Sequence, residues 1–223
     1  MVGYARVMRY RDRTDAGSRL GAAVVAAGYG DLETPPLVLG IPRGGVPVAA
    51  EVAHHAGGEL SVVMAHKVGA PGNPEFAIGA IAGDGEPLIN DDVVHRLRIP
   101  QAYIDAEVAR QREEIQRREM TYRSGRPAPL VADRTVIVVD DGVATGSTLI
   151  AVLRSVRAAG PSRLCCAIPV GPPDTVQRLA AEVDEVVCPL QPQLFMAVGS
   201  WYDDFSQVSD SAVLAVLQAS FAD

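Results

Sequence analysis

Two adjacent acidic residues, Asp140 and Asp141, occur in the sequence VIVVDDGVATGST at positions 136–148. The β-branched residues before them are typical of a strand that is buried on both faces of a parallel sheet. Open α/β sheets bind their ligands outside the carboxyl ends of such strands. We therefore expect the two carboxylates to bind hydroxyl groups or a hydrated divalent cation.

The segment after the two acids has small side chains, including two glycines and three hydroxyl residues, and it leads into a helix pattern at 149–153. Backbone N–H groups of such a loop, at a helix N-terminus, are suited to bind a phosphate group. The predicted phosphate loop consists of Val143, Ala144, Thr145, Gly146, Ser147 and Thr148. The P-loop of nucleoside triphosphatases is excluded because no lysine precedes Ser147 or Thr148.

This combination resembles the signature of the type I phosphoribosyltransferases, whose substrate is phosphoribosyl pyrophosphate. The resemblance implies that Asp140 and Asp141 contact the ribose 2′- and 3′-hydroxyls and that the loop binds the 5′-phosphate. It also implies a Mg²⁺ ion, which the two acids hold through water. The competing interpretation is an ordinary strand–turn–helix, but paired acids at a strand end serve no packing purpose.

A second candidate loop has the sequence IPRGGVP at 41–47 and follows the first predicted strand. Gly44 and Gly45 allow the backbone to approach an anion closely, and Arg43 supplies a bidentate phosphate donor. In the resembled family the matching loop holds pyrophosphate, often through a non-proline cis peptide. Taken alone, the sequence also fits a glycine turn between a strand and a helix.

The sequence HKVGAPGNP at 66–74 places Lys67 after the second predicted strand, where its ammonium group could neutralise pyrophosphate. The stretch is similar to the Arg-Lys-Pro-Gly of adenine phosphoribosyltransferases, with His66 in place of the arginine. Residues 69–85 occupy the position of the family's mobile loop. Glu75 in that segment could accept a proton from an incoming base, and a solvated loop carboxylate is the alternative.

The last segment, residues 189–223, is predicted to form a hood over the acceptor. Phe195, Trp201 and Tyr202 lie there in a chain that is only 5% aromatic, and they are candidates for stacking on a flat heterocycle. Burial of the tail against the core is the alternative. Ala144 stands where hypoxanthine-guanine enzymes of the family have an aspartate, which disfavours those acceptors. Across the chain, the similarity is closer to uncharacterised bacterial members of the family.

The elements that position these residues alternate between strands and helices, which predicts an α/β fold with a mainly parallel sheet flanked by helices. The predicted strands are 37–41, 61–66, 135–140, 164–170 and 185–188, and the predicted helices are 46–55, 147–159 and 174–181. A first helix, with Thr14 as its N-cap, is expected to end at Gly28 or Gly30. We expect one domain over residues 1–223.

An insertion at 69–126 is predicted to contain a flexible loop, a hairpin formed by 76–82 and 86–90, and a long helix at 101–123. The helix has acid–base pairs at i, i+4 spacing and only a narrow apolar stripe. Two interpretations remain open for it: a solvated, salt-bridged helix, or a lid or dimer element.

Composition narrows the class of protein. The chain has 223 residues, of which 48% are hydrophobic and 21% charged, which indicates a globular protein. The net charge of −7 and the absence of a long basic tract argue against nucleic-acid binding. No apolar run is long enough to span a bilayer and no targeting segment is evident, so we expect no membrane association and a cytoplasmic location. Members of the resembled family are commonly homodimers, and the sequence leaves the oligomeric state of this chain open.

The resemblance implies a Mg²⁺-dependent transferase that moves the ribose 5-phosphate group from phosphoribosyl pyrophosphate to a nitrogenous base or related small acceptor, with release of pyrophosphate. A regulatory protein that binds phosphoribosyl pyrophosphate or a nucleotide without turnover is the alternative. Transferase chemistry requires Arg43 and Lys67 to lie at the same edge of the sheet as Asp141.

Overall fold

Five parallel strands form the central sheet in the computed structural model, which describes residues 9–82 and 86–220. The strands, in chain order, are β1 (Leu37–Gly40), β2 (Glu59–Val62), β3 (Ala65–Ala70), β4 (Asn73–Ala82), β5 (Leu88–Ile89), β6 (Thr135–Val139), β7 (Arg163–Ala167) and β8 (Glu185–Val187). The central sheet has the order β2–β1–β6–β7–β8. The mainly parallel sheet expected from the sequence is confirmed.

Helices cover both faces of this sheet. They are α1 (Arg13–Val24), α2 (Gly45–Ala56), α3 (Asp91–Leu97), α4 (Gln101–Tyr122), α5 (Ser147–Ala158), α6 (Pro173–Ala180) and α7 (Asp210–Ser220). Successive strand residues point to opposite faces: Ile137 packs in a core cluster with residues of α1, α2 and α7, whereas Val138 packs with residues of α5 and α6. Burial on both faces explains why the central strands are continuous apolar runs.

The second predicted strand, 61–66, is wrong in its extent. The central strand ends at Val62, and β3 begins at Ala65 in a separate antiparallel sheet with the order β3–β4–β5. Where the chain leaves the central sheet, the N–H of Met64 donates to the Glu119 carboxylate of α4, at 2.9 Å, instead of to a strand. The apolar run in the sequence carries no sign of this change of partner.

The described part of 69–85 is mostly paired strand and not irregular loop, and its mobility stays a prediction. Residues 73–82 form β4, which pairs with β3 along most of its length and with β5 at Gly79 and Ala80. The pairing of β4 with β5 confirms the predicted hairpin, whose turn at 83–85 lies outside the described residues. Glycine and proline residues in the sequence do not distinguish an irregular loop from a tight hairpin turn.

Two predicted helices can be compared in detail with those observed. Helix α1 begins earlier than expected, since its N-cap is Asp12, which accepts a hydrogen bond from the N–H of Asp15, and Thr14 lies inside the helix. A π-helical turn, Val25–Tyr29, continues it. Helix α4 has nearly the predicted extent and buries the apolar stripe of Ile104, Val108 and Ile115.

The first residues of the described chain pair with residues 201–203 of the C-terminal segment. Tyr10 donates its N–H to the carbonyl of Trp201 and accepts a hydrogen bond from the N–H of Asp203, at 2.9 and 2.8 Å. A 3₁₀ turn, Val198–Trp201, precedes this contact. Across residues 9–82 and 86–220, no helix has the length and apolar character needed to cross a membrane.

Candidate active site

The carboxyl ends of β1, β2 and β6 lie side by side at one edge of the central sheet. Gly40, the last residue of β1, pairs with Val62 on one side and with Val139 on the other. The loops that follow these strands therefore start at the same level. They bring Arg43 to the same edge as the two acids, as transferase chemistry requires.

The loop at 42–45, called here the PRGG loop, packs directly against the two acids. A Cβ on Gly44 would lie 2.6 Å from the carboxyl carbon of Asp141, and a Cβ on Gly45 would lie 2.9 Å from the Cα of Asp140. Such distances exclude any side chain at either glycine without a shift of the structure. The two glycines are required by the close approach of the loop to the acids.

The PRGG loop leaves two groups available for an anion. Arg43 is exposed and forms no ion pair with a residue that the structure describes, and the Pro42–Arg43 peptide is cis. The N–H of Gly45 donates to the carbonyl of Ile41 at 3.0 Å. Gly45, a candidate residue of the pyrophosphate loop, therefore has its N–H occupied within the protein, whereas the N–H of Gly44 donates to no described residue.

Asp141 is held at both its side chain and its main chain. The Nε of Arg13 donates to its Oδ2 at 2.8 Å, and the hydroxyl of Tyr202 donates to its carbonyl oxygen at 2.6 Å. The Oδ1 of Asp140 accepts a hydrogen bond from the N–H of Asp141 at 2.8 Å. One oxygen of each carboxylate, Oδ2 of Asp140 and Oδ1 of Asp141, makes no hydrogen bond to any described residue and can accept one from a ligand.

The environment makes ionisation of the two acids costly. Burial raises the pKa of Asp140 well above its ordinary value, and the neighbouring Asp141 raises it further. Burial also raises the pKa of Asp141, while the guanidinium of Arg13 opposes that shift. Paired carboxylates in such a setting favour a ligand that brings hydroxyl donors or positive charge.

The donor set of the two acids fits Mg²⁺. Carboxylate oxygens are the hard ligands that this ion prefers, and it is usually held by one or two carboxylates together with water and substrate phosphates. Within the described part of the chain, no group of three or more His, Cys, Asp or Glu residues could hold a metal ion. The arrangement thus fits an ion that binds together with a phosphorylated substrate.

The phosphate loop leads from the end of β6 into α5. Gly146 has a φ of +78°, a left-handed conformation that favours glycine, and no side chain caps the N-terminus of α5. The first N–H groups of the helix are consequently available to an anion. Ala144, Thr145 and Ser147 are exposed around them, as an anion cradle requires.

Helix α6 supports the phosphate loop from the side. The Oγ1 of Thr175 donates to the carbonyl of Ala144 at 2.8 Å, and a guanidinium nitrogen of Arg178 donates to the carbonyl of Thr145 at 2.9 Å. Val143 has a different role from the predicted one. Its side chain is buried and its N–H donates to the carbonyl of Val170 at 3.0 Å, so it anchors the loop and has no N–H to offer a phosphate.

Lys67 lies in β3, a few residues after the chain leaves the carboxyl end of β2. It pairs with Ala80 across the hairpin, and its side chain is exposed and forms no ion pair with a described residue. His66 beside it contacts Gln111, with 2.8 Å between Nδ1 and Oε1, and so attaches β3 to α4. Glu75 belongs to β4, but its side chain lies outside the described part of the structure, and its role stays a prediction.

The hood contains both buried and partly exposed aromatic rings. Tyr202 is 1% exposed and lies between Tyr10 and Phe205, with ring centroids 5.5 and 4.9 Å away. The prediction that Tyr202 stacks on an acceptor is wrong, because its ring is part of the core. Trp201 is half-buried and stacks on Phe195 at 6.4 Å. A role for Trp201 in acceptor binding stays a prediction.

Sequence patterns gave no sign of Arg13, Thr175 or Arg178. Arg13 is 128 positions away from Asp141 in the chain, and other arginines stand near it in the N-terminal segment. Thr175 and Arg178 belong to a helix with an ordinary amphipathic pattern. These side chains act through tertiary contacts, and no local spacing marks such a contact.

The sequence model of the phosphoribosyl transferase domain matches residues 20–198, a range that includes the PRGG loop, the two acids and the phosphate loop. The chain belongs to the phosphoribosyl transferase family. The resemblance found in the signature sequence is thereby confirmed at the level of the family.

Similar proteins agree with this family. Two curated relatives from Mycobacterium tuberculosis, strains CDC 1551 / Oshkosh and H37Rv, are named provisionally as phosphoribosyl transferases and are 42% identical over 214 residues. The alignments cover 96% of this chain and 47% of each relative, so the chain spans about half of their length. The crystal structure of TT1426 from Thermus thermophilus is 47% identical, with a TM-score of 0.79 over 95% of this chain and 99% of that chain.

Proposed function

We propose that this member of the family is a Mg²⁺-dependent phosphoribosyltransferase that transfers the ribose 5-phosphate group of phosphoribosyl pyrophosphate to a nitrogen atom of a small base or related acceptor. The main support is the position of the two acids between the PRGG loop and the phosphate loop. Two anion-binding loops on either side of a hydroxyl-binding pair match the order of phosphate, ribose and diphosphate in that substrate.

The phosphate loop would bind the end of the substrate that does not react. Its exposed N–H groups receive the 5′-phosphate, and the bonds from Thr175 and Arg178 keep its carbonyl groups in place. The free carboxylate oxygens of Asp140 and Asp141 accept hydrogen bonds from the ribose hydroxyls. Binding energy from this remote end then holds the anomeric carbon in position for the reaction.

The PRGG loop and Lys67 would bind the diphosphate that leaves. In the reaction the bond between the anomeric carbon and the diphosphate oxygen breaks, and a bond from that carbon to the acceptor nitrogen forms. Positive charge develops on the ribose ring while negative charge increases on the diphosphate. Arg43, Lys67 and the N–H of Gly44 stabilise the negative charge, and Mg²⁺ supplies further neutralisation when it is bound.

The acceptor would bind on the hood side of the ribose. Trp201, stacked on Phe195, offers a flat apolar surface for a heterocycle. We propose Glu75 of β4 as the group that removes a proton from the acceptor nitrogen.

The test is release of pyrophosphate from phosphoribosyl pyrophosphate and Mg²⁺ in the presence of a panel of purines, pyrimidines and related bases. The matched control is the double variant Asp140→Asn, Asp141→Asn. We expect acceptor-dependent release by the unsubstituted protein only. Tight calorimetric binding of phosphoribosyl pyrophosphate without release for any acceptor would instead support a non-catalytic binding protein, and lack of binding would contradict the proposal.

A further inference from the structure

Arg13 of α1 makes three separate contacts at the edge of the site. Its Nε donates to Asp141 Oδ2 at 2.8 Å, a terminal nitrogen donates to the carbonyl of Ser206 at 2.8 Å, and its guanidinium carbon lies 4.0 Å from the centre of the Phe205 ring. The side chains of Arg13 and Asp141 are only 12% and 15% exposed. The ion pair is therefore largely removed from solvent. Buried charge pairs are screened by salt much less than exposed pairs are.

The contacts of Arg13 close a ring of four residues. Phe205, under the guanidinium, packs against Tyr202, with 4.9 Å between ring centroids. Tyr202 in turn donates its hydroxyl to the carbonyl oxygen of Asp141 at 2.6 Å. The N-terminal helix and the hood thus hold the same aspartate, the helix through the carboxylate and the hood through the main-chain carbonyl.

This ring determines which oxygen of Asp141 is available to a ligand. Oδ2 is occupied by Arg13 and faces Gly44, whose lack of a side chain leaves room for it. Oδ1 has no partner among the described residues. A planar guanidinium can bond the carboxylate and the Ser206 carbonyl while its face rests on an aromatic ring, a combination that a lysine ammonium cannot reproduce.

We propose that Arg13 is a positioning residue, which holds Asp141 by Oδ2 so that Oδ1 is presented to the ribose of phosphoribosyl pyrophosphate. The proposal rests on the proposed function. In this proposal Arg13 acts through Asp141, because its Nε and one terminal nitrogen are directed to protein oxygens. The consequence is selective: loss of Arg13 weakens contacts to the ribose and spares those made to the diphosphate by the PRGG loop.

Two ligands separate this role from a general structural one. Phosphoribosyl pyrophosphate contains the ribose, whereas inorganic pyrophosphate binds only through the PRGG loop and Lys67. Dissociation constants are measured by calorimetry, with Mg²⁺ for phosphoribosyl pyrophosphate and without Mg²⁺ for pyrophosphate, for the unsubstituted chain and for the variants Arg13→Gln and Arg13→Lys. Arg19→Gln is the matched control, since Arg19 lies on the same helix, is 45% exposed and forms its ion pair with Asp15.

We expect Arg13→Gln to raise the dissociation constant of phosphoribosyl pyrophosphate by about tenfold or more, as loss of a charge-assisted hydrogen bond implies. Arg13→Lys should recover part of the affinity. Pyrophosphate binding should change by less than about twofold in either variant, and Arg19→Gln should leave both ligands unaffected.

Normal binding of phosphoribosyl pyrophosphate by Arg13→Gln overturns the inference, and so does an equal loss of both ligands. If Arg13→Gln does not fold, Phe205→Leu replaces it, because this variant removes the ring under the guanidinium and keeps the charge. Unchanged affinity in both Phe205→Leu and Arg13→Lys then overturns the inference. Failure of the unsubstituted protein to bind phosphoribosyl pyrophosphate overturns the proposed function and the inference together, and this outcome is distinguished by the first titration.

Discussion

Gly44 and Asp141 are in direct contact, and a Cβ on Gly44 would lie 2.6 Å from the carboxyl carbon of Asp141. The backbone of Gly44, with φ −63° and ψ −34°, is one that any residue adopts. A larger residue is therefore excluded there by the carboxylate and not by backbone strain. The loop proposed to hold diphosphate and the acid proposed to hold ribose are fitted to each other.

The variant Gly44→Ala tests this fit. The new methyl group should push the Asp141 carboxylate away from the loop and from Arg13, so we expect the affinity for phosphoribosyl pyrophosphate to fall by at least about tenfold. Calorimetry measures the affinity, and thermal unfolding measures stability.

Gly45→Ala is the comparison, since its Cβ meets the carbonyl oxygen of Val139 at 2.8 Å and the Cα of Asp140. It should lower the Tm more than Gly44→Ala does, because backbone moves less readily than a side chain. Wild-type affinity in Gly44→Ala would contradict the fit.

Both loops of the site could be predicted from the sequence because their signals are local. A buried strand ends at adjacent acids or at glycines, and the parallel sheet brings those strand ends together. Gly44 and Gly146 were recognisable because close approach and left-handed backbone both select glycine. The position of Arg43 beside the acids follows from the same argument.

Long-range packing could not be predicted in this way. Tyr202 was assigned to an acceptor pocket, whereas its ring is buried and its hydroxyl bonds to the backbone of Asp141. An aromatic residue in a tail has the same local pattern in both cases. Met64 shows the same limit, since its sequence continues an apolar run while its N–H bonds to a carboxylate 55 positions away and not to a strand.

The raised pKa of Asp140 predicts how stability changes with pH. Its pKa in the folded protein lies above that of an unfolded aspartate, about 3.9. Between the unfolded and the folded pKa, the folded state binds more protons than the unfolded state. The free energy of unfolding therefore falls as the pH rises from about 4 towards the folded pKa. Asp140→Asn removes this loss. We expect the Tm of Asp140→Asn, relative to wild type, to increase from about pH 4 to about pH 7 in calorimetric scans. A constant difference across this range would argue against a buried, repelled carboxylate.

Glu119 is expected to stabilise the junction between the central sheet and β3. One carboxylate oxygen accepts the N–H of Met64 at 2.9 Å, and the other pairs with Arg123 at 2.5 Å. Glu119→Ala leaves a buried N–H and a largely buried guanidinium without this partner, which costs about 2–4 kcal/mol of unfolding free energy. Urea denaturation measures the loss.

The matched control is Glu114→Ala, on the same helix, which removes ion pairs to exposed arginines. It should lower the free energy of unfolding much less. Equal losses in the two variants would show that the bond to Met64 contributes nothing specific.

Lys67 is the single lysine of the chain, which makes its proposed contact with diphosphate directly measurable. An acylating reagent specific for amines should modify only Lys67 and the amino terminus, and peptide mass spectrometry distinguishes the two sites. Lys67 is exposed, so we expect rapid modification of the free protein. Pyrophosphate without Mg²⁺, or phosphoribosyl pyrophosphate with Mg²⁺, should slow the reaction at Lys67 severalfold, because a bound anion engages the ammonium group.

A lysine-containing peptide added to the same reaction provides the control, since ligands that act only on the protein leave its rate unchanged. In the Asp140→Asn, Asp141→Asn variant, protection by phosphoribosyl pyrophosphate should weaken while protection by pyrophosphate persists, because only the former ligand needs the acids. Modification of Lys67 at the same rate with and without saturating pyrophosphate would remove it from the diphosphate site. Arg43 and the N–H of Gly44 would then remain as the donors of the PRGG loop.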